Sequence, residues 1–362
     1  MGMCRAGLQG RKAPGGRRRP LRRWLAAAAV LAGLIQAPAA AAGEAPADTL
    51  AAVQDRGVLV CGVGEIAGLA KRDSTGRYIG TRADFCRAIA AAVLRDPEAV
   101  TFVPLIASAR FEALLAGDVD VLFAGTTWTL GREAGLGIRF ATVTFYDGQG
   151  FAAHRHHGWQ RLEDVEAARV CTVADTTSAV NLRLYALQTG KRLQPVESVT
   201  REGAWETFLA RGCDLITNDR TALIADLLDR VPEPADYVVL PDMISREPLA
   251  PAVRLGDSRW EGLVRFVMHA LILAEEKDIT GALAGTPVST SDPETRHLLG
   301  IDPGVGQPLG LDDDWARRAI AAAGNYGEIF DRHLGKGSRF GMPRGLNALW
   351  TDGGLLYPLP LR

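Results

Sequence analysis

The sequence predicts an α/β protein built from two similar lobes, and three observations carry that expectation. The body begins with alternating short apolar strands and helices, the pattern of a parallel sheet covered by helices. One stretch of that pattern then recurs. Arg110–Leu122 runs helix, Gly117, Asp118, strand, and Ala204–Ile216 repeats the order through Gly212 and Asp214. Last, Phe145-Tyr-Asp-Gly-Gln-Gly-Phe151 and Glu247-Pro-Leu-Ala-Pro-Ala-Val-Arg254 suit two extended crossings. The chain would leave one lobe, build the other and come back.

The elements follow in order. Thr49–Gln54 reads as a short helix and Gly57–Val63 as a strand. Gly76 and Gly80 mark turns. Asp84 can cap a helix running to about Leu94, with Phe85, Ile89 and Val93 at helical spacing. Thr101–Leu105 is a strand. Ser108 can cap a helix over 109–116, closed by Gly117, and Asp118–Phe123 is a buried strand. Arg169–Val173 echoes the first strand. Trp260–Glu276 is a long apolar helix, and Asp312–Ala323 another. These place a first lobe over 48–148, a second over 152–246, and a return with a C-terminal helical extension over 250–362.

Charge divides the 362-residue chain differently. The formal net charge is −1, but residues 1–43 carry eight basic groups and no acid. The remainder holds 33 basic against 42 acidic groups, a net of −9. An acidic body lacks the positive surplus that phosphate neutralisation requires, so a nucleic-acid partner is not expected. The basic groups end at Arg23, an apolar stretch runs from Trp24 to Ile35, and Ala40-Ala41-Ala42 supplies small residues. This is the pattern of a cleaved export signal over 1–42, and so of a periplasmic protein. A membrane anchor is the alternative, but the stretch is mostly alanine, and Gln36 and Pro38 interrupt it.

Without the leader the chain keeps four cysteines: Cys61, Cys86, Cys171 and Cys213. In an oxidising compartment an even count suggests two disulfides, with four buried thiols as the alternative. Spacing alone fixes no connectivity. The lobe organisation favours Cys61 with Cys86 and Cys171 with Cys213, since each pair then lies within one lobe. No CxxC spacing supports zinc.

Several longer segments resemble a known family. They are Val60–Val63, Asp84–Val93, Gly125-Thr-Thr-Trp-Thr-Leu-Gly-Arg132, Thr144–Phe151, Gly324–Arg332 and Arg344–Tyr357. Through them the chain, from about Leu50 to Arg362, resembles periplasmic amino-acid-binding proteins of ABC importers. These form solute-binding family 3, and the nearest likeness is to its general L-amino-acid-binding subgroup. The resemblance implies the type II periplasmic-binding-protein fold, two α/β lobes joined by two hinge strands. It also implies a non-enzymatic monomer without cofactor, holding an L-amino acid in the cleft and delivering it to an inner-membrane permease.

A dry cleft holding a free amino acid must pair one carboxylate and one ammonium. A guanidinium matches the carboxylate with two parallel hydrogen bonds. By resemblance, Thr127, Thr129 and Arg132 present hydroxyl, N–H and guanidinium groups to it. Thr176 and Thr177, at a strand-to-helix junction in the second lobe, add to the same grip. Asp219, ending a strand, would pair the ammonium. Without the resemblance, the threonines read as helix caps, Arg132 as a solvated loop residue and Asp219 as a turn residue. Glu65 is a further candidate for the ammonium or for a basic side chain.

Three positions depart from the family pattern. Leu69 stands where an aromatic platform is usual, Arg82 where an Asp is common, and Asp175 where a Gly precedes the lobe-two threonines. Asp175 would add negative charge beside an anion site. His154, His156 and His157 lack a fourth ligand in a fitting pattern and read as a solvated loop, so no metal is expected. No phosphate-binding loop, nucleophile elbow or HExxH occurs. An enzyme on the same scaffold would have Glu65 and Asp175 as its spare carboxylates, and a ligand sensor is the other alternative.

Overall fold

The computed structural model describes residues 48–361, so the expected leader lies outside them. The strands in chain order are β1 (Leu59–Val63), a small hairpin of β2 (Lys71–Arg72) and β3 (Tyr78–Ile79), β4 (Val100–Pro104), β5 (Val121–Thr127), β6 (Ile138–Phe140) and β7 (Phe145–Asp147). They continue with β8 (Gln149–His154), β9 (Ala167–Val173), β10 (Arg192–Ser198), β11 (Leu215–Asp219), β12 (Tyr237–Val239) and β13 (Glu247–Arg254).

Two main sheets result, and they share one plan. The first has the order β4-β1-β5-β13-β6, with β7 also on β13; the second has the order β10-β9-β11-β8-β12. In the first, β4, β1 and β5 are parallel and β13 is antiparallel to β5. In the second, β10, β9 and β11 are parallel and β8 is antiparallel to β11. So the antiparallel fourth strand of each sheet is the one that arrives by crossing over. This is the expected two-lobed architecture. The parallel strands are covered by helices, which is why β1 and β9 read as nearly continuous apolar runs.

The two crossings lie against each other. At Gly148 a Cβ atom would stand 2.7 Å from Met243 Sδ and 3.0 Å from the Ser245 carbonyl oxygen, so the absent side chain lets the outgoing chain run close against the returning one. Asp147 fixes the same point, accepting from the Gly148 N–H at 2.8 Å and the Thr221 N–H at 3.2 Å.

The first lobe has the larger core. The helix Thr81–Leu94 is buried along nearly its whole length, between the first sheet and the C-terminal helices. Ser258–Glu276 and Trp315–Ala323 supply Trp260, Leu271 and Ile320 to it. Within the lobes, Cys61 is bonded to Cys86 and Cys171 to Cys213. Among the described residues no helix is long and apolar enough to cross a membrane.

Local differences from the sequence reading have physical causes. The helix expected to begin at Asp84 starts at Thr81, capped by Gly80 at φ 125°. Asp84 is therefore inside the first turn, where its carboxylate accepts from Arg332 and, at 2.7 Å, pairs with His333 of the C-terminal extension. Ser108 caps nothing; the helix Arg110–Ala116 has no side-chain cap. The following strand begins at Val121, after Asp120, whose carboxylate accepts the Val60 N–H at 2.7 Å and whose own N–H donates to the Val60 carbonyl at 2.8 Å. The three histidines are not one solvated loop. His154 ends β8 and is buried, its ring 4.4 Å from that of Phe208 and its Nε2 3.0 Å from the Phe208 carbonyl oxygen. His156 is exposed, and His157 stacks on Trp159. No group of potential metal ligands occurs among the described residues.

Candidate functional site

Strand ends of both sheets converge on one cavity of about 210 Å³. That is below the roughly 300–1,000 Å³ of sites for drug-sized ligands, and suits a small polar solute. The lobes touch across it. Thr127, ending β5, and Thr177, opening the helix Thr177–Thr189, have their hydroxyl oxygens 3.2 Å apart.

Behind them lies Glu247, fully buried at the start of the return strand. Its carboxylate accepts from Thr127 Oγ1 at 2.5 Å, Thr177 Oγ1 at 3.1 Å, Asn181 Nδ2 at 2.9 Å and Ser245 Oγ at 2.5 Å. The donors come from both lobes and from the crossing, so Glu247 ties the hinge to the closed cleft. Sequence reasoning did not single it out. Its signal was a charged residue at the head of an otherwise apolar strand.

A second tie lies at the edge of the cleft. Asp229, in the second-lobe helix Arg220–Arg230, is ion-paired with Lys71 of the hairpin and Arg339 of the C-terminal extension.

Thr127, Thr176, Thr177, Asp219 and Glu65 all line the cavity. Thr176 is also a helix cap: its hydroxyl accepts from the Ala179 N–H at 3.2 Å and donates to the Val173 carbonyl at 2.6 Å. Asp219 stands at the N-cap position of Arg220–Arg230, yet its carboxylate accepts nothing from that helix. A carboxylate released from capping and held at a cavity wall is available to a ligand cation. Glu65 accepts from the Tyr78 hydroxyl at 2.7 Å.

Arg132, Thr129 and Leu69 are not among the residues lining this cavity. Thr129 caps Leu130–Gly135, accepting from the Arg132 N–H at 3.3 Å. The Arg132 guanidinium donates to the Thr127 carbonyl at 2.9 Å and lies 5.5 Å from the centre of the Phe111 ring. Burial lowers its pKa, while Glu247 and Asp219 act to raise it. Leu69 is buried in the first-lobe core, and the cavity's apolar wall includes Ile66 and Ile106 instead. Asp175 is exposed and outside the lining, with φ 58°. That left-handed conformation accounts for the glycine usual there. Asp tolerates it better than most residues.

Three arginines line the cavity that sequence reasoning did not place there: Arg82, Arg110 and Arg201. In the sequence Arg82 stands out only as a departure from the family pattern. Each sits in the first turn of a helix. That is the electrostatically wrong end for a cation unless an anion is near, and it was the available signal. Arg201 is matched, by Asp226 and, at 3.4 Å, by Glu202. Arg82 and Arg110 are not ion-paired with any described residue.

The potentials of these groups are interlocked. Burial pushes the Arg82 pKa down to about 10, opposed by Asp219, and burial does the same to Arg110. Both stay cationic at neutral pH. Burial raises the Asp147 carboxyl to about 6, against the Gly148 and Thr221 hydrogen bonds and Arg82. The Asp219 carboxyl is pushed well above the usual carboxylate range by burial, Asp147 and Glu247, and pulled back by Arg82 and Arg110. A ligand ammonium beside Asp219 would relieve that crowding of negative charge.

No family model matches the chain. It is 42% identical over 332 residues to the glutamate/glutamine/aspartate/asparagine-binding protein BztA of Rhodobacter capsulatus, covering 91% of this chain and 98% of that one. It is 39% identical over 327 residues to the general L-amino acid-binding periplasmic protein AapJ of Rhizobium johnstonii, covering 90% and 96%. Among solved structures, an ABC transporter periplasmic binding protein from Brucella ovis with glutathione bound aligns with a TM-score of 0.85 at 40% identity, over 87% of this chain and all of that one. These relatives are named as binding proteins, not enzymes. The chain belongs to the family of periplasmic amino-acid-binding proteins of ABC transporters.

Proposed function

We propose that this protein captures L-amino acids between its lobes and delivers them to an inner-membrane ABC permease. The observation that carries the reading is Asp219, a carboxylate without a capping partner at the wall of a small cavity rich in arginine. In this assignment Thr127, Thr129 and Arg132 of the first lobe and Thr176 and Thr177 of the second grip the α-carboxylate once the ligand enters, Arg132 turning from the Thr127 carbonyl and the Thr127 and Thr177 hydroxyls from Glu247. Asp219 pairs the α-ammonium, with Glu65 as an outer contact and Ile66 in the place expected for Leu69. Closure requires a ligand that touches both lobes, so binding free energy becomes closing free energy. The relatives' names support a broad ligand range, since they include acidic amino acids, their amides and L-amino acids in general.

The protein works as a monomer in the periplasm, after export and removal of residues 1–42. No cofactor takes part. Calorimetric titration of the purified protein with each common amino acid tests the reading. Micromolar or tighter binding of several is the expected result, and failure of every one to bind refutes it.

A further inference from the structure

The arginines of the cleft outnumber what a simple amino acid needs. Arg82 and Arg110 are 7% and 6% exposed, and both line the cavity. Neither guanidinium donates a hydrogen bond to any described residue. Arg82 Nη1 and Arg110 Nε are fully buried without a partner. A buried, unpaired cation is costly, and a native fold retains one where a ligand anion completes it.

The surroundings are built for this arrangement. Gly125 lines the same cavity, and a Cβ there would stand 2.5 Å from Arg82 Nη2 and 3.0 Å from Arg82 Cζ. The missing side chain is the space the guanidinium occupies. Arg110 is backed by Phe111, whose ring centre lies 5.0 Å from its Cζ, and Arg132 flanks the other contact of that ring. Asp147 and Asp219 act on Arg82 through space, yet neither comes within ion-pair distance of it. The remaining cavity cation, Arg201, is already matched by Asp226 and Glu202.

We infer that Arg82 and Arg110 form a second anion-binding point in the cleft, which selects amino acids carrying a second carboxylate over their neutral amides. The inference rests on the proposed capture of an α-amino acid: Arg132 and Asp219 serve the α-carboxylate and α-ammonium, and the Arg82–Arg110 pair meets the other acid group. A guanidinium donates to a carboxylate through charge-assisted bonds roughly twice as strong as those to a neutral amide oxygen. An amide offers the two guanidiniums one neutral acceptor oxygen where a carboxylate offers two charged ones. The side-chain carboxylate of a free acidic amino acid and the terminal carboxylate of a γ-glutamyl peptide offer the same chemistry.

Calorimetry on the purified protein separates these. L-Glutamate, L-aspartate, L-glutamine, L-asparagine and glutathione are titrated into the unaltered protein and into Arg82→Met and Arg110→Met. The expected result is a preference of at least about tenfold for an acid over its amide in the unaltered protein, lost in either variant while amide binding persists. Glutamate binding without glutathione binding assigns the pair to a free acidic amino acid; glutathione binding above glutamate assigns it to the peptide. Equal affinity for glutamate and glutamine in the unaltered protein overturns the inference and needs no variant. A preference that survives both substitutions overturns it as well. Loss of both ligands in a variant with unchanged ligand-free Tm moves that arginine to the α-carboxylate and also overturns it. Absence of binding by every amino acid is a separate result, which removes the proposed function itself.

Discussion

Replacing Asp229 by alanine should weaken ligand binding although Asp229 lies outside the ligand cavity. The carboxylate joins the second lobe to Lys71 and Arg339 on the first-lobe side. Its side chain is 15% exposed, against 47% for Lys71 and 55% for Arg339, so both pairs are partly solvated. Pairs of that kind contribute ~0.2–1 kcal/mol each. Together they favour the closed form by ~0.4–2 kcal/mol, equivalent to about two- to thirtyfold in Kd. The full factor appears only if the ligand-free protein is mostly open, because only then does closure draw on binding free energy. Calorimetry at low and high ionic strength reads both parts. Kd should rise in Asp229→Ala, and its dependence on salt should shrink, since these exposed pairs are screened. Burial alone would raise the Asp229 carboxyl, but the hydrogen bonds from Lys71 and Arg339 outweigh it and hold the pKa below the usual value. The latch is therefore intact above the ordinary carboxylate pKa and is lost as pH falls through the lowered one. An Asp229→Ala protein with unchanged Kd and unchanged salt dependence would refute the latch.

Other expectations are independent of the latch. Arg132→Ala should reduce amino-acid affinity by at least about 100-fold, the consequence of losing a partner for a desolvated carboxylate, with little change in Tm; retained affinity removes its assigned role. Replacing Cys171 and Cys213 together by alanine opens a loop of 42 residues and should cost ~3–4 kcal/mol, read by urea unfolding; a loss below ~1 kcal/mol would show that the second lobe is held by packing alone. His269 is buried, with Nε2 3.1 Å from Thr142 Oγ1 and Nδ1 accepting the Leu359 N–H at 3.2 Å. Burial, helped by Arg265, lowers its pKa from 6.5 to about 4. Folding with a depressed histidine pKa is fully favoured above pH 6.5 and loses up to ~3 kcal/mol as pH falls toward 4. His269→Gln should flatten that part of the pH–stability curve, and an unchanged slope would falsify the assignment.

The lobe plan was legible because it is written in local, repeated patterns. Apolar runs, a Gly-Asp break between helix and strand, and two extended crossings each depend on a few adjacent residues. The family segments were legible for the same reason, and they led to Thr127, Thr177 and Asp219, which the fold does bring to one cavity. Helix caps are less legible in the sequence. Asp84 and Ser108 are good caps by residue type, but the N–H groups of Thr81 and Arg82 donate to the Gly68 and Leu69 carbonyls, so the helix begins at Thr81 without a side-chain cap. Asp84 was then free to anchor the C-terminal extension through Arg332 and His333.

What the sequence by itself determined is the set of elements, the two-lobed arrangement, the favoured cysteine pairing and the family. Only the tertiary structure decided the electrostatics of the cleft. Arg82, Arg110 and Asp219 are separated by 28 and 109 positions or more along the chain, and nothing local distinguishes a buried arginine from a solvated one. Gly125 removes a side chain where Arg82 must lie, and Asp175 holds a left-handed backbone outside the cavity lining. Charge–charge energies depend on distance and on how much water remains between groups. Both are set when the lobes pack and close, and neither is a property of residue order.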